Sequence, residues 1–206
     1  MQIKQIFTHT LIGLAIGVFS QSVSAEAIID KPAPTFTGTT ADGGKLSLDS
    51  LKGKTVVLEW TNHECPFVKK HYESGNIPQL QKDAAAKNIV WVQVNSSAEG
   101  KQGHVSGAEA TKLNESRSAK PAYVVLDADG KIGQAYGAQT TPHIYIVDPK
   151  GILVYKGGID DIPTAKVEDL PKANNYVREV WAALADGKKV PHASTKPYGC
   201  SIKYSS

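Results

Sequence analysis

A strand that ends beside a Cys-Pro pair constrains the fold of this chain more than any other feature. Residues 55–60 (TVVLEW) form a nearly continuous apolar run rich in β-branched residues, which is typical of a strand buried on both faces of a parallel sheet. Cys65 follows, and Pro66 suits the first turn of a helix because its missing N–H would have no helical partner there. The sequence therefore predicts a cysteine held between a buried strand and a helix N-terminus.

The other hydrophobic patterns predict how this strand is placed in a sheet. They indicate an N-terminal hairpin at residues 36–39 and 45–48, and a closing hairpin at 143–147 and 152–155. Further strands are expected at 89–94 and 123–126, and helices at 66–72, 78–87, 106–118 and 176–184, the last of them amphipathic. Strand–helix–strand connections imply right-handed parallel crossovers, and the closing hairpin adds antiparallel strands. We therefore expect an α/β fold with a central mixed β-sheet and helices on both faces.

The N-terminal segment has the features of a secretory signal. Lys4 supplies a positive charge, residues 11–19 are apolar, and residues 23–25 (VSA) fit the small-residue rule for cleavage after Ala25. We expect export without stable membrane insertion, and a periplasmic location if the host is a Gram-negative bacterium. The predicted organisation is a signal peptide at 1–25, one domain at 26–190 and a C-terminal tail at 191–206 that carries Cys200.

Composition excludes several classes of protein. Lys+Arg 23 and Asp+Glu 20 leave a net charge of +3 spread along the chain, which is not the basic surface of a nucleic-acid-binding protein. Two cysteines cannot form a disulfide-dense scaffold or a zinc site made of cysteines alone. His63, Cys65, His71 and His143 could converge, but their spacing is not that of a metal motif, and we expect neither a metal nor another cofactor.

Cys65 is the candidate catalytic residue. A thiol at a helix N-terminus faces unpaired N–H groups and the positive end of the helix dipole, and both favour the thiolate. His63 would act in the same direction if protonated, whereas the charge of Glu64 would oppose it. The alternative is a buried, inert cysteine or one half of a structural bridge.

Cys200 is the only other cysteine, and an exported protein with two cysteines most simply pairs them. In one interpretation Cys200 resolves an oxidised Cys65, and both residues are catalytic. In the other, a permanent disulfide pins the tail and silences the thiol. A free Cys200 or a pairing between two chains also stays open.

Three segments carry a resemblance to a known family: residues 60–68 (WTNHECPFV), 140–142 (TTP) and 199–202 (GCSI). With these, the chain resembles the thioredoxin fold and, more closely, the redoxin-domain proteins of the alkyl hydroperoxide reductase/thiol-specific antioxidant superfamily, of the secreted bacterial type. The resemblance covers about residues 30–190. It implies that Pro142 is cis beside the active cysteine, and that the backbone of Thr141 pairs with an extended substrate. His143 and Trp60 join the expected substrate-positioning residues, with packing as the plain alternative for both.

The departures from the family pattern limit the activity that can be expected. The thioredoxin Cys-x-x-Cys is replaced by residues 65–68 (CPFV), and the peroxiredoxin Pro-x-x-x-Thr-x-x-Cys has Leu58 and Asn62 in its first two slots. The resemblance thus implies thiol–disulfide exchange or peroxide reduction through Cys65. The expected partners are a protein or small-molecule thiol, disulfide or peroxide and an external thiol reductant, with no nucleic acid. The alternative is a non-catalytic binding module with a sealed Cys65–Cys200 bridge.

Overall fold

A computed structural model of the protein describes residues 27–205. The predicted signal peptide at 1–25 lies outside the described residues. The strands are β1 Thr37–Thr40, β2 Lys45–Ser47, β3 Val56–Trp60, β4 Val90–Asn95, β5 Tyr123–Leu126, β6 Thr140–Thr141, β7 His143–Val147, β8 Leu153–Gly157 and β9 Cys200–Ser201. Seven of them form one sheet in the order β2-β1-β5-β4-β3-β7-β8, and the two-residue strands β6 and β9 form a separate small sheet.

The helices lie between these strands. Their bounds are α1 Pro66–Glu73, α2 Asn76–Ala86, α3 Gly107–Ser116, α4 Lys131–Tyr136 and α5 Tyr176–Ala185, with short 3₁₀ helices at Leu48–Leu51 and Val167–Lys172. Gly75 separates α1 from α2 and has a φ of 76°, in the left-handed region that glycine adopts readily. The helix α2 starts at Asn76, two residues before the start predicted at Pro78. Among residues 27–205, none of the helices has the length and apolar character needed to cross a bilayer.

Strand pairing follows the predicted topology. The strands β3, β4 and β5 are parallel, as expected of strands joined by helical crossovers. The closing hairpin of β7 and β8 is antiparallel, and β7 pairs antiparallel with β3, so the sheet is mixed. The N-terminal hairpin of β1 and β2 joins the same sheet through β5. The predicted α/β class with a central mixed sheet is confirmed.

Alternate side chains of the central strands build two cores, one on each face of the sheet. In β3, Leu58 and Trp60 enter the core that includes α4, whereas Val57 enters the core beneath α1, α2 and α5. Cys65 belongs to this second core. Because successive side chains of a strand point to opposite faces of the sheet, only every second residue of β3 lies on the face of Cys65.

The elements missed from the sequence are α4, the short strands β6 and β9, and the two 3₁₀ helices. Residues 127–130 form the predicted turn, but α4 follows directly, and Asp127 caps it by accepting from the amides of Ile132 and Gly133 at 3.0 and 2.9 Å. The strand β9 is defined by its partner β6 and not by any apolar pattern of its own.

Candidate active site

Cys65 is the residue that caps the N-terminus of α1. Its backbone is extended, with φ −71° and ψ 123°, and Pro66 occupies the first helical turn as predicted. The strand β3 ends at Trp60, and the intervening residues return the chain so that the Cys65 amide donates to the Asn62 carbonyl at 3.1 Å. The sulfur is thus fixed by a strand before it and a helix after it.

Thr141 and Pro142 lie against the cysteine. The Thr141–Pro142 peptide bond is cis, as the resemblance implied. The Sγ atom of Cys65 lies 3.1 Å from the Thr141 carbonyl oxygen, to which the thiol donates. The predicted Cys65 and Thr141–Pro142 are therefore neighbours, although 76 residues separate Cys65 from Thr141 in the sequence.

The tail brings Cys200 to the same place. The strands β6 and β9 are antiparallel, with Thr141 opposite Cys200 and Thr140 opposite Ser201. The backbone N–H of Cys200 donates to Sγ of Cys65 at 3.4 Å. Both cysteines are present as free thiols. The backbone edge of Thr141, which the resemblance assigns to an extended substrate, is thus occupied by the chain's own tail.

The two sulfurs differ in their affinity for protons. Burial by itself raises the pKa of the Cys65 thiol, but hydrogen bonds from the Cys200 side chain and from backbone amides outweigh burial and hold that pKa below the usual value. Burial and the hydrogen bond to Cys65 raise the pKa of Cys200 to about 11. Negative charge is therefore favoured on Cys65 and the proton on Cys200, which is the arrangement of a nucleophile and its proton donor.

Cys65 is buried, and the tail lies against its sulfur. The residue is 0% exposed, whereas Cys200 is half-buried. Because the amide of Cys200 rests on the Cys65 sulfur, β9 forms part of the cover. The tail therefore contributes to the burial of the Cys65 sulfur.

His63 and Glu64 lie next to the cysteine in sequence but serve other contacts. Burial, partly offset by Glu64, lowers the pKa of His63 and so disfavours the protonated imidazole that would support the thiolate. His63 lines a surface cavity of about 400 Å³ together with His104 and Glu109. The Glu64 carboxylate accepts from the Gly103 amide at 2.6 Å, which ties this carboxylate to the loop that precedes α3.

His143 and Trp60, the other two residues expected to position a substrate, are both buried in the structure. Trp60 is 0% exposed and belongs to the core on the opposite face of the sheet from Cys65, where its indole N–H donates to Ser96 at 3.0 Å. His143 pairs with Trp60 across β3 and β7 and packs its ring against Tyr145. Burial lowers the pKa of His143 to about 3. Both residues pack in the interior, which is the alternative that the sequence left open.

The two arginines of the chain are engaged away from the cysteine. Arg117 stacks on the ring of Tyr72 at 3.6 Å and donates to Asn114. Arg178 pairs with Asp83 at 2.7 Å. Neither is among the described groups that contact Cys65.

One buried polar group that the sequence analysis missed is Glu59. It is 0% exposed and accepts from the Tyr72 hydroxyl at 2.6 Å and the Trp91 indole at 2.7 Å. Burial raises the pKa of this carboxyl. Glu59 shares the sheet face of Val57, which is the face of Cys65. An acidic residue inside an apolar strand was the signal that could have identified it.

A second missed group is a cluster of charged and polar side chains beneath α1. Lys70 and Asp160 are almost fully buried, with their charged atoms 3.9 Å apart, and the Tyr198 hydroxyl donates to Asp160 at 2.5 Å. His71 lies 3.1 Å from that hydroxyl. No periodic pattern marks this cluster, because its members come from a helix, a loop and the tail. In the part of the chain that the structure describes, no group of His, Cys, Asp and Glu side chains has the geometry of a metal site.

A cysteine between a strand and a helix, facing a cis-proline at the start of a later strand, defines a thioredoxin-like protein. The structure is similar to the thioredoxin domain of a thiol-disulfide oxidoreductase from Bacteroides vulgatus, with a TM-score of 0.50 and 23% identity over 70% of this chain and 96% of that one. This likeness supports the fold. Residues 29–156 match the AhpC/TSA family, and the chain belongs to that family.

Two further comparisons cover more of the chain. An uncharacterized conserved protein from Geobacillus kaustophilus has a TM-score of 0.73 and 29% identity, covering 87% of this chain and 93% of that one. The Coxiella burnetii protein named "Putative peroxiredoxin bcp" is 27% identical over 164 residues, which are 76% of this chain and 97% of the relative. These similarities agree with membership of the AhpC/TSA family and with the thioredoxin-like fold.

Proposed function

We propose that this protein is an exported thiol–disulfide oxidoreductase in which Cys65 attacks the substrate and Cys200 resolves the mixed disulfide. One observation carries the proposal: the amide of Cys200 and the carbonyl of Thr141 both contact the Cys65 sulfur, at 3.4 and 3.1 Å. The second thiol is thus held beside the first, as exchange between two cysteines requires.

The proposed reaction has two exchanges. The Cys65 thiolate attacks a substrate disulfide, forms a mixed disulfide with one substrate sulfur and releases the other as a thiolate. Cys200 gives up its proton to that thiolate and attacks the Cys65 sulfur, which releases the second substrate sulfur as a thiolate that takes its proton from solvent. The substrate gains two electrons and two protons, and the Cys65–Cys200 disulfide that forms is reduced again by an external thiol.

The roles of the two cysteines follow from their ionisation. The lowered pKa of Cys65 supplies thiolate for attack and makes Cys65 the better leaving group when the bridge is reduced. The raised pKa of Cys200 keeps its proton available for the departing sulfur. In this proposal Thr141 and Pro142 position the chain that reacts, while Glu64 and His63 support the loop around Cys65.

Peroxide reduction is the second candidate, and membership in the AhpC/TSA family favours it. In that reaction the Cys65 thiolate takes one oxygen from the peroxide, becomes a sulfenic acid, and condenses with Cys200 to a disulfide and water. The residues around Cys65 favour it less, because Asn62 replaces the threonine of the peroxiredoxin motif and both arginines are engaged elsewhere.

The rival from another class is a binding module in which a sealed Cys65–Cys200 bridge only pins the tail. The complete burial of Cys65 is the observation that favours it. Export would place either form in an oxidising compartment, where such a bridge persists.

The deciding experiment is insulin reduction and hydroperoxide turnover by the protein without residues 1–25 and by its Cys65→Ser and Cys200→Ser variants. We expect Cys65→Ser to abolish the activity. Cys200→Ser should stop turnover after one substrate equivalent and retain a mixed disulfide on Cys65, visible by mass spectrometry. Full activity of Cys65→Ser would refute the proposal. A bridge that resists dithiothreitol in the folded wild type would favour the binding module.

The reduction potential of the pair separates the remaining alternatives. Equilibration with glutathione buffers, followed by acid quenching and thiol counting, gives that potential directly. We expect a value within the range of catalytic dithiols. A potential below about −300 mV, typical of structural disulfides, would count against a catalytic cycle.

A further inference from the structure

The C-terminal tail is attached to the domain on both sides of Cys200. Before it, the Thr195 hydroxyl lies 2.7 Å from the Tyr155 hydroxyl and accepts from the Gly158 amide at 3.1 Å. After it, the Ile202 amide donates to Gln139 at 3.0 Å. The tail is therefore a fixed segment of the fold, and Cys200 is delivered to Cys65 by identifiable contacts.

Tyr198 is the contact that joins the tail to the helix of the reactive cysteine. Its hydroxyl donates to Asp160, and its ring packs edge-on against Phe67 with the centroids 5.8 Å apart. Lys70 lies 5.3 Å from the ring centroid. Phe67 and Lys70 are both on α1, which begins directly after Cys65, so the Tyr198 side chain fixes the distance between α1 and the tail.

The polar partners of Tyr198 orient its side chain. Asn76 donates to Nδ1 of His71 at 2.8 Å, which leaves the proton of the neutral imidazole on Nε2. Nε2 can then donate to the Tyr198 oxygen, 3.1 Å away, while the Tyr198 proton goes to Asp160. The Lys70 amine also donates to this oxygen at 3.5 Å, so two donors and one acceptor hold the hydroxyl, and these contacts orient the ring.

Gly199 makes the close approach to Thr141 possible. Its φ of 124° is in the region that favours glycine, and a Cβ there would overlap the Thr141 carbonyl oxygen. That oxygen is the one to which the Cys65 thiol donates. A side chain at position 199 would therefore lift β9 away from Cys65.

We propose that Tyr198 and Gly199 are positioning residues that seat the tail on the backbone edge of Thr141, in the place of an extended substrate. Seating has two consequences: Cys200 is presented to Cys65, and Cys65 is shielded from large partners. External disulfides and the tail compete for one edge, so a polypeptide substrate reacts with Cys65 only when the tail is released. This inference rests on the proposed function, because it assumes that Cys65 and Cys200 exchange.

The first test measures how well Cys200 competes with an external thiol. The intramolecular disulfide and the glutathione mixed disulfide of the full mature chain are quantified by mass spectrometry in a series of glutathione buffers. Their ratio gives the effective concentration of Cys200 at Cys65. We expect Gly199→Ala to lower it at least about tenfold, towards the millimolar values of a flexible tether.

A matched glycine supplies the control. Gly187 has a φ of 64°, and a Cβ there would meet no atom within 4 Å. Gly187→Ala thus imposes backbone strain without a clash at the site, and we expect the wild-type effective concentration. Equal values for Gly199→Ala and the wild type would overturn the proposal, as would equal losses in both glycine variants.

The second test measures shielding. Alkylation of Cys65 by iodoacetamide, mapped by mass spectrometry in reduced protein, should be fastest in Tyr198→Ala. Tyr198→Phe keeps the ring but not the hydroxyl and should be intermediate, while the wild type should be slowest. Circular dichroism establishes that each variant is folded, and Gly199→Ala gives the same readout if Tyr198→Ala does not fold. Equal Cys65 alkylation rates in all folded variants would refute the shielding role.

The two proposals fail in different ways. A wild type that forms no Cys65–Cys200 disulfide in any glutathione buffer defeats the proposed function. A wild type that forms the disulfide, with Gly199→Ala and Tyr198→Ala unchanged in both effective concentration and Cys65 alkylation, defeats only the positioning role of the tail.

Discussion

The two cysteines of this protein are held in contrasting ways. Cys65 lies between β3 and α1, whose hydrogen bonds and buried apolar side chains fix it. Cys200 lies in a two-residue strand within a polar tail, and its position depends on side chains such as Tyr198 and on the backbone of Gly199. The nucleophile is therefore part of the regular fold, whereas its partner is attached by a few separable contacts.

This difference explains how the fold around Cys65 can be stable while the contact between the two cysteines can open. Disturbing β3 or α1 removes elements of the main sheet and its core, whereas disturbing the contacts of the tail displaces Cys200 and costs stability only where a buried group loses its partner. Local opening of weakly held segments costs less free energy than global unfolding. The predictions below separate the contribution of the two regions to stability and to thiol chemistry.

The largest expected effect is on the buried charges that hold the tail. Asp160→Leu leaves Lys70 without a counter-ion, and removing one partner of a buried pair costs about 3–5 kcal/mol. We expect about 3 kcal/mol, the lower part of that range, because burial already lowers the pKa of Lys70 and the amine can release its proton. Urea unfolding at pH 7 measures the loss.

The neighbouring aspartate is the control for that substitution. Asp161 is exposed, and Asp161→Asn keeps an oxygen that accepts from the Asn174 amide. We expect a change within about 0.5 kcal/mol. A similar loss for both variants would show that the buried cluster does not hold the tail in particular.

The next effect concerns Glu59, beneath the regular part of the site. Burial raises its pKa above the ordinary 4.5, so the folded state binds the proton more tightly than the unfolded chain. Its contribution to stability is present below pH 4.5 and is lost as pH rises through the folded pKa, with a slope of at most about 1.4 kcal/mol per pH unit. Glu59→Gln should flatten the pH dependence of the unfolding free energy in that window.

Glu115→Gln removes the same charge on an exposed face of α3 and serves as the matched control. Denaturant unfolding of the three proteins at several pH values gives the comparison. If Glu59→Gln and the wild type lose stability in parallel as pH rises, the burial of this carboxyl does not control the stability of the sheet.

The regular region was predictable from the sequence because its elements are coded locally. The apolar run before Cys65, Pro66 at the helix start and the alternating strands each predicted an element that the structure contains. The cis bond at Pro142 came from the resemblance, which also placed this proline beside Cys65. Locally coded elements and family motifs thus predicted the fold and the position of Pro142 beside Cys65, but not the contacts that hold Cys200.

The tail region was not predictable in the same way. The strand β9 has no apolar period and exists only because Thr140 and Thr141 offer it backbone partners. The burial of Lys70 depends on Asp160, which is 90 residues further along the chain. The position of Trp60 was not predictable for a related reason. The face of the sheet that its side chain enters depends on the register of β3, and the sequence alone did not relate that register to Cys65.

A smaller effect is expected at the start of α3, which belongs to the regular region. Ser106 accepts from the Glu109 amide at 3.3 Å, and Glu109 accepts from the Ser106 amide at 2.7 Å, a capping box. Ser106→Ala should cost about 1 kcal/mol of unfolding free energy and leave the effective concentration of Cys200 unchanged. Ser116→Ala, at the exposed end of the same helix, should cost less. A changed effective concentration in Ser106→Ala would mean that the two regions are coupled.

The smallest effect is a shift of one ionisation without a change of fold. The Cys200 side chain donates to Cys65 and lowers its pKa, so Cys200→Ala should raise the pKa of Cys65. Cys200→Ser keeps a donor and should raise it less, while the Cys200 amide remains in every variant. Thiolate absorbance titrated against pH measures this without requiring access to the sulfur, although the first step in the wild type belongs to the pair of thiols. If the pKa of Cys65 is unchanged in Cys200→Ala, the backbone of the regular region alone sets the ionisation, and the tail supplies only the second sulfur.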